Sequence, residues 1–438
     1  MEKDNIMSSR IAAVTGRQIW DSRGRPTVEA EVTLESGAVG RAIAPAGASR
    51  GAHEAIDLRD GGAAFGGFGV NSAVAGIGTE IARALAGQDV RDQAAVDRLL
   101  CDLDGTPNKA RLGANAVVAV SMAVLHAAAA NARVPLWRYL ADGRKIRTPL
   151  PEIQIFGGGA HAGRRTDVQD FMVMCPRAGN FRRALEITEE VYRAAGRLME
   201  AKGPLSGVAD EGGWWPNFAS NEDALDTLTK AIEASGHRAG EDVFISLDIA
   251  ANELGDAAGY DLALDDRRLS GEEMAARIIE WAGRYPILSI EDPAGQDDWT
   301  TMAAVTASIG DRVQIIGDDV LVTNAERVAR AGDAAVCNAA LIKVNQVGTV
   351  TEAKAAIEAA VQRGWGAIVS ARSGESEDVT IAHLASGWDA GQLKVGSFTR
   401  SERMAKWNEM LRIEEALGSD AEWAGFSAFA GSIGQVTA

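Results

Sequence analysis

Hydrophobic and polar positions alternate through the first forty residues. Val28, Ala30 and Val32 interleave with Glu29, Glu31 and Thr33, and Ser36-Gly37 supplies a turn before residues 38–43. A period of two interrupted by a turn predicts antiparallel sheet. Two glycine-rich stretches come next, 46–51 and 61–69, and predict mobile loops. From about residue 71 to 140 the period lengthens to that of helices, and the alanine-rich stretch 114–131 has the apolar density of a buried helix. The first third of the chain therefore predicts an α+β unit.

After Pro149-Leu150-Pro151 the rhythm changes. Short apolar runs at 171–174, 243–247, 287–290, 314–316, 340–342 and 367–369 alternate with longer amphipathic stretches such as 221–235, 271–284 and 350–363. Repeated strand–helix units of this length predict a parallel sheet covered by helices, and their number suits a closed barrel. The expected fold class is α/β, with an N-terminal α+β capping domain over residues 1–145 and a parallel β/α barrel over 146–438. A chain of 438 residues exceeds one ordinary core, which agrees with two domains.

Composition narrows the function. With 46% hydrophobic and 24% charged residues the chain has a soluble globular balance. Its net charge of −17 argues against nucleic acid, because phosphate backbones require a basic face, but leaves small anions open. The three cysteines Cys101, Cys175 and Cys337 are too few and too far apart for a disulfide framework or a zinc site. The opening MEKDNIMSSR lacks a signal-peptide core, and no run approaches the roughly 18 apolar residues that span a bilayer. The expected location is cytoplasmic, with no membrane partner.

The chemistry collects where barrel strands are expected to end, since parallel barrels carry their active sites on that face. Three successive strands end in a carboxylate: Asp248, Glu291 and Asp318. Such a set repels itself unless a divalent cation is present, and all-oxygen ligands favour Mg²⁺ or Mn²⁺. The competing reading is that these acids cap the helices after them. The next strand delivers Lys343, a candidate general base. One strand further lies Ser370-Ala371-Arg372-Ser373-Gly374-Glu375, an anion-binding group in form, and Lys394 closes the circuit.

These residues sit among longer segments that resemble the enolase family. They are Asp21 to Glu29, Gly47-Ala48-Ser49, Gly113 to Ala116, Asp210-Glu211-Gly212-Gly213, Ser289 to Pro293, Gly317-Asp318-Asp319, Leu341 to Gln346, Arg372 to Glu375, Arg400 to Arg403 and Arg412 to Glu415. They occur in the family's order and spacing over nearly the whole chain. The resemblance implies that Asp248, Glu291 and Asp318 hold a Mg²⁺ that binds the substrate carboxylate. It implies that Lys343 removes the α-proton, that Glu211 assists departure of the 3-hydroxyl, and that Lys394 contacts the carboxylate side. Ser49 would close over the phosphate and help hold a second Mg²⁺. His161, Gln169, Arg372 and Ser373 would face substrate, the last two through phosphate. At least a dimer is also implied.

The sequence departs from the family at several points. The family's Ser-His-Arg-Ser-Gly-Glu reads Ser370-Ala371-Arg372, so the active-site histidine is missing. The glutamate after Gln169 is Asp170, one methylene shorter. The lid Ser-Gly-Ala-Ser-Thr-Gly reads Ala46-Gly47-Ala48-Ser49-Arg50-Gly51, adding an arginine. Asn-Gly-Gly becomes Gly157-Gly158-Gly159, and Trp214-Trp215 comes directly after the Asp210 to Gly213 motif. Metal ligands and base are intact, whereas the hydroxyl-elimination side is remodelled.

Three readings stay open at this point. The first is dehydration of 2-phosphoglycerate to phosphoenolpyruvate, the glycolytic lyase reaction. The second is a paralogue acting on a related phosphorylated or phosphonylated three-carbon acid, as in the carboxyphosphonoenolpyruvate synthases of phosphonate biosynthesis, where Arg50 would meet added negative charge. The third is a binding protein that has kept the fold and lost turnover.

Overall fold

The structure, a computed structural model, describes residues 8–431 and Ile433. The polar opening segment lies, through residue 7, outside the described residues. The expected antiparallel sheet is present as β1 (Ile11–Trp20), β2 (Pro26–Leu34) and β3 (Val39–Ile43), in that spatial order. Val28, Ala30 and Val32 share one face of β2 and are fully buried. They pack on α1 (Ala114–Ala132), a helix apolar nearly all round. Contrary to the expectation that no run approaches membrane-spanning length, α1 is long and apolar enough to qualify. The protein itself buries 83% of its most apolar window, which makes it a core helix.

Eight strands close a barrel, in the order β4 (Leu150–Gly157), β5 (Asp170–Met174), β6 (Phe244–Asp248), β7 (Ile287–Glu291), β8 (Gln314–Gly317), β9 (Ala339–Ile342), β10 (Gly366–Ser370) and β11 (Gly391–Ser397), with β11 pairing back to β4. It is not wholly parallel. β5 runs antiparallel to both β4 and β6. A parallel neighbour requires a crossover of a dozen or more residues, usually helical, whereas an antiparallel one needs only a loop. The chain between β4 and β5 holds a single short 3₁₀ turn, Gly159–Ala162, so it returns directly. After β5 two helices, α2 (Phe181–Glu200) and α3 (Asn221–Ala234), pack side by side. The pair brings the chain back to the end it left, and β6 starts there in the common direction.

Each remaining crossover is built on one main helix, α4 (Gly271–Arg284), α5 (Trp299–Ile309), α6 (Ala325–Asp333), α7 (Val350–Gln362) or α8 (Thr380–Gly387), with a small three-stranded sheet ahead of α4 and a single short helical turn, Val344–Val347, ahead of α7. The terminal helix α9 (Ser401–Leu417) packs against α2 and α8. Buried polar contacts fasten the two domains. Asp97 accepts from the Thr351 amide at 2.9 Å, Ser121 Oγ accepts from the Val350 amide at 3.0 Å, and Lys109 Nζ lies 2.6 Å from Glu352.

Candidate active site

Strand register assembles the site. Asp248 pairs with Asp170 on one side and Glu291 on the other, and Ser370 pairs with Lys394. Because β5 is reversed, its first residue, Asp170, reaches the same rim as the last residues of its parallel neighbours. The capping alternative does not hold for the three acids. The helices α4, α5 and α6 take their N-terminal caps from Ser270, Asp298 and Asn324.

Two buried ammonium groups lie among the carboxylates. Lys394 Nζ is 2.9 Å from Asp248 Oδ2, 2.7 Å from Glu291 Oε2 and 3.6 Å from Asp170 Oδ2. Lys343 Nζ is 2.5 Å from Asp318 Oδ2, whose other oxygen accepts from Gln346 at 2.8 Å. Gln169 Nε2 donates to Asp248 Oδ2 at 3.1 Å. Burial opposes the charge on each lysine, yet Asp318 holds the Lys343 pKa up, and Asp248 with Glu291 holds that of Lys394 well up. Burial, then the Asp248 charge, drives the Glu291 carboxyl well above its ordinary range.

The donor set fits a hard divalent cation. Its ligands are all oxygen, and Glu291 Oε1 is fully buried with no hydrogen-bond partner, a costly arrangement unless something positive satisfies it. Among the described residues, possible ligand atoms lie within 4.8 Å of one another in two groups, His161 with Asp170 and Glu211, and Asp292 with Asp318 and Asp319. Asp292 acts as a brace. Its two oxygens accept from the Asp318 and Asp319 amides at 2.9 and 2.7 Å, which fixes the end of β8 against that of β7.

Opposite the acids stands a second group. His161 Nδ1 is 2.9 Å from Asp170 Oδ1, and its Nε2 is 3.0 Å from Ser373 Oγ and 3.7 Å from Glu211 Oε1. Gln154 donates to the same Asp170 oxygen. Burial alone would depress the imidazole. The Asp170 and Glu211 carboxylates outweigh it and push His161 up to about 9. Glu211 arrives on the loop between α2 and α3, whose Gly212 carbonyl accepts from Tyr192 at 3.1 Å and from Thr399 at 2.7 Å. Trp214 stacks on Tyr192 with ring centroids 4.8 Å apart, so the tryptophan that departs from the family pattern buttresses this loop.

The expected phosphate side forms from β10 and the glycine-rich lid. Arg372 donates to the Ser49 carbonyl at 3.0 Å and to Asn345 at 3.1 Å, and grips both oxygens of Glu54 at 3.0 and 3.1 Å. A Cβ on Gly47 would fall 2.0 Å from Arg372 Nη2 and 2.8 Å from Ser49 O, so a side chain there would force the docked lid or the guanidinium to shift. Ser49, His161, Gln169, Asp170, Glu211, Asp248, Lys343, Arg372, Ser373 and Lys394 all line one cavity, about 320 Å³ of non-atom space that includes its solvent mouth. Ala371 lines it too, presenting a methyl group. Glu291 and Asp318 lie just behind this lining, bonded to the two lysines. Arg50 does not line it. Its guanidinium turns back to donate to the Ala55 carbonyl at 2.9 Å.

Sequence reasoning missed Glu54, Gln154, Asn345 and Arg403. Asn345 falls within the Leu341 to Gln346 motif. Nothing in the chain pairs Glu54 with Arg372 until the lid closes on the barrel.

Fold and rim together define a two-domain barrel enzyme equipped to take a proton from beside a carboxylate. Residues 11–140 match the family model described as "Enolase, N-terminal domain", and residues 145–431 match "Enolase, C-terminal TIM barrel domain". Enolase 1 of Desulfitobacterium hafniense (strain Y51) is 47% identical over 424 residues, covering 96% of this chain and 97% of that protein. The chain belongs to the enolase family, and it is a lyase.

Proposed function

We propose that the protein catalyses the reversible Mg²⁺-dependent dehydration of 2-phosphoglycerate to phosphoenolpyruvate. The observation that carries this reading is the convergence on one cavity of Lys343 and Lys394, set among strand-end acids, and of the Glu211–His161–Asp170 group. α-Proton removal and hydroxyl departure need such groups on opposite sides of the substrate.

Asp248, Glu291 and Asp318 would hold one Mg²⁺, with Ser49 contributing to a second. When bound, the ions supply positive charge to a carboxylate that becomes more negative as its α-proton leaves. Lys343 takes that proton. For this it must be neutral, which requires that Asp318 spend its charge on something other than Lys343. Lys394 stays charged and meets the substrate carboxylate. Glu211 delivers a proton to the departing 3-hydroxyl, which leaves as water, and Asp170 fixes the imidazole of His161 beside it. Arg372, Ser373 and the Ser49 lid hold the phosphate and exclude water. A cytoplasmic enzyme of glycolysis, at least dimeric, is the setting this reading implies. A larger anionic substrate gains no support from Arg50, which faces away from the cavity.

The test is phosphoenolpyruvate formation from 2-phosphoglycerate with Mg²⁺, tracked by ultraviolet absorbance against an EDTA control. Metal-dependent turnover is expected. Loss of the α-proton into heavy water without product would locate the defect at elimination and favour the paralogue reading. Neither turnover nor exchange would favour a binding protein.

A further inference from the structure

The motif Arg400-Ser401-Glu402-Arg403 opens α9 and contributes nothing to the cavity lining, yet Arg403 is among the largest side chains with no exposure at all. Burying a guanidinium costs several kcal/mol unless it is fully paired. Arg403 reaches three main-chain carbonyls. Nη1 donates to Arg372 O at 2.6 Å and to Val395 O at 2.9 Å, and Nη2 donates to Ser373 O at 2.5 Å. Its Nε has no hydrogen-bond partner. Two carboxylates stand near without hydrogen-bonding it: Glu211 Oε1 is 4.0 Å from Nη1, and Glu402 Oε1 is 3.5 Å from Nε.

The three carbonyls belong to the turn that carries Arg372 and Ser373 and to the residue directly after Lys394. The same strand end holds the Glu211 loop, because Ser397 N donates to Glu211 O at 2.9 Å. Between them Gly396, at φ +114, leaves room that a side chain would take. A Cβ there would meet Glu211 O at 2.9 Å and Arg403 Cδ at 3.1 Å. One planar fork thus ties the phosphate-side turn to the Lys394 strand, and the end of that strand in turn holds the Glu211 loop.

We propose that Arg403 is a positioning residue for elimination: its guanidinium fixes the Arg372–Ser373 turn against the strand whose end carries the Glu211 loop, so that a substrate held by its phosphate presents its 3-hydroxyl to the acid. A rigid five-donor fork does this; a lysine, a point charge on a flexible stem, does not. The inference rests on the dehydratase reading. It separates two steps of that reaction, because no hydrogen bond or ion pair joins Arg403 to Lys343, Asp248, Glu291 or Asp318.

The experiment compares wild type, R403K and R403A in three measurements: α-proton exchange of 2-phosphoglycerate into heavy water, phosphoenolpyruvate formation, and Mg²⁺ titration by calorimetry. A misplacement of about 1 Å costs on the order of 100-fold. Product formation is therefore expected to fall about 100-fold in both variants while exchange at saturating substrate and Mg²⁺ affinity hold. Millimolar guanidinium should restore part of the product rate to R403A. Equal loss of exchange and product, or full activity in R403K, overturns the proposal. If R403A does not fold, as judged by circular dichroism, R403K carries the test alone. Wild-type protein that neither exchanges nor turns over defeats the dehydratase reading itself, and the proposal with it.

Discussion

His161 and Asp170 form a buried pair, with 2.9 Å between Nδ1 and Oδ1, in the cavity that Ala371 also lines. The pairing has a pH signature. The imidazole rises from its ordinary 6.5 to about 9 because Asp170 and Glu211 overcome the effect of burial. A pKa raised on folding gives stability that is fully present below the unfolded value and is lost as pH climbs through the folded one. His161→Gln should therefore lower the thermal midpoint more at pH 6 than at pH 10. A difference that stays constant across that range would refute the charged pair.

Glu291 is the most enclosed of the proposed ligands, with one oxygen lacking any partner. Glu291→Gln keeps the shape and removes the charge. Mg²⁺ affinity measured by calorimetry should drop by at least about 10- to 100-fold, since even groups behind the ligands matter that much. Unchanged affinity would mean that the ion sits elsewhere on the rim.

Lys343→Met removes the proposed base without touching the Glu211 side. Exchange of the α-proton and product formation should fall together, by about 10²- to 10⁴-fold. Retention of exchange would pass the role of base to another group.

Gly47→Ala places a methyl where the Arg372 guanidinium lies, so the lid should fail to seat. The expected result is a KM raised about tenfold, some 1.4 kcal/mol, with thermal stability little altered because the lid is a surface loop. An unchanged KM would show that closure tolerates the clash.

Ala371→His combined with Asp170→Glu restores the family pattern on the hydroxyl side. Dehydration of 2-phosphoglycerate should speed up while Mg²⁺ affinity holds. A slower enzyme would identify the native pair Ala371 and Asp170 as fitted to a different acid.

Much of this architecture is legible in the sequence, because periodicity and strand-end chemistry are local. The acids Asp248, Glu291 and Asp318 announce themselves at the close of apolar runs, and 271–284 reads as a helix that the structure reproduces as Gly271–Arg284. The hidden part is non-local. The direction of β5 follows from the short return after Gly157 and is accommodated by the pair of helices beyond Met174, and no feature of Asp170–Met174 encodes it. β4 escapes notice because Pro149-Leu150-Pro151 reads as punctuation although Leu150 already belongs to a strand. Glu54 and Arg372 lie 318 positions apart. Arg403 shows no function until its three carbonyl partners are folded around it.

The reversed strand has a consequence for how such an enzyme acquires new reactions. Most other connections on the catalytic face lead into a helix that must still reach the barrel floor, and the one after β6 first spreads into a small three-stranded antiparallel sheet over residues 255–269. The segment between β4 and β5 leaves and re-enters the same rim, carrying His161 between Gly157 and Asp170. Residues can be inserted or exchanged there with no helix to re-register.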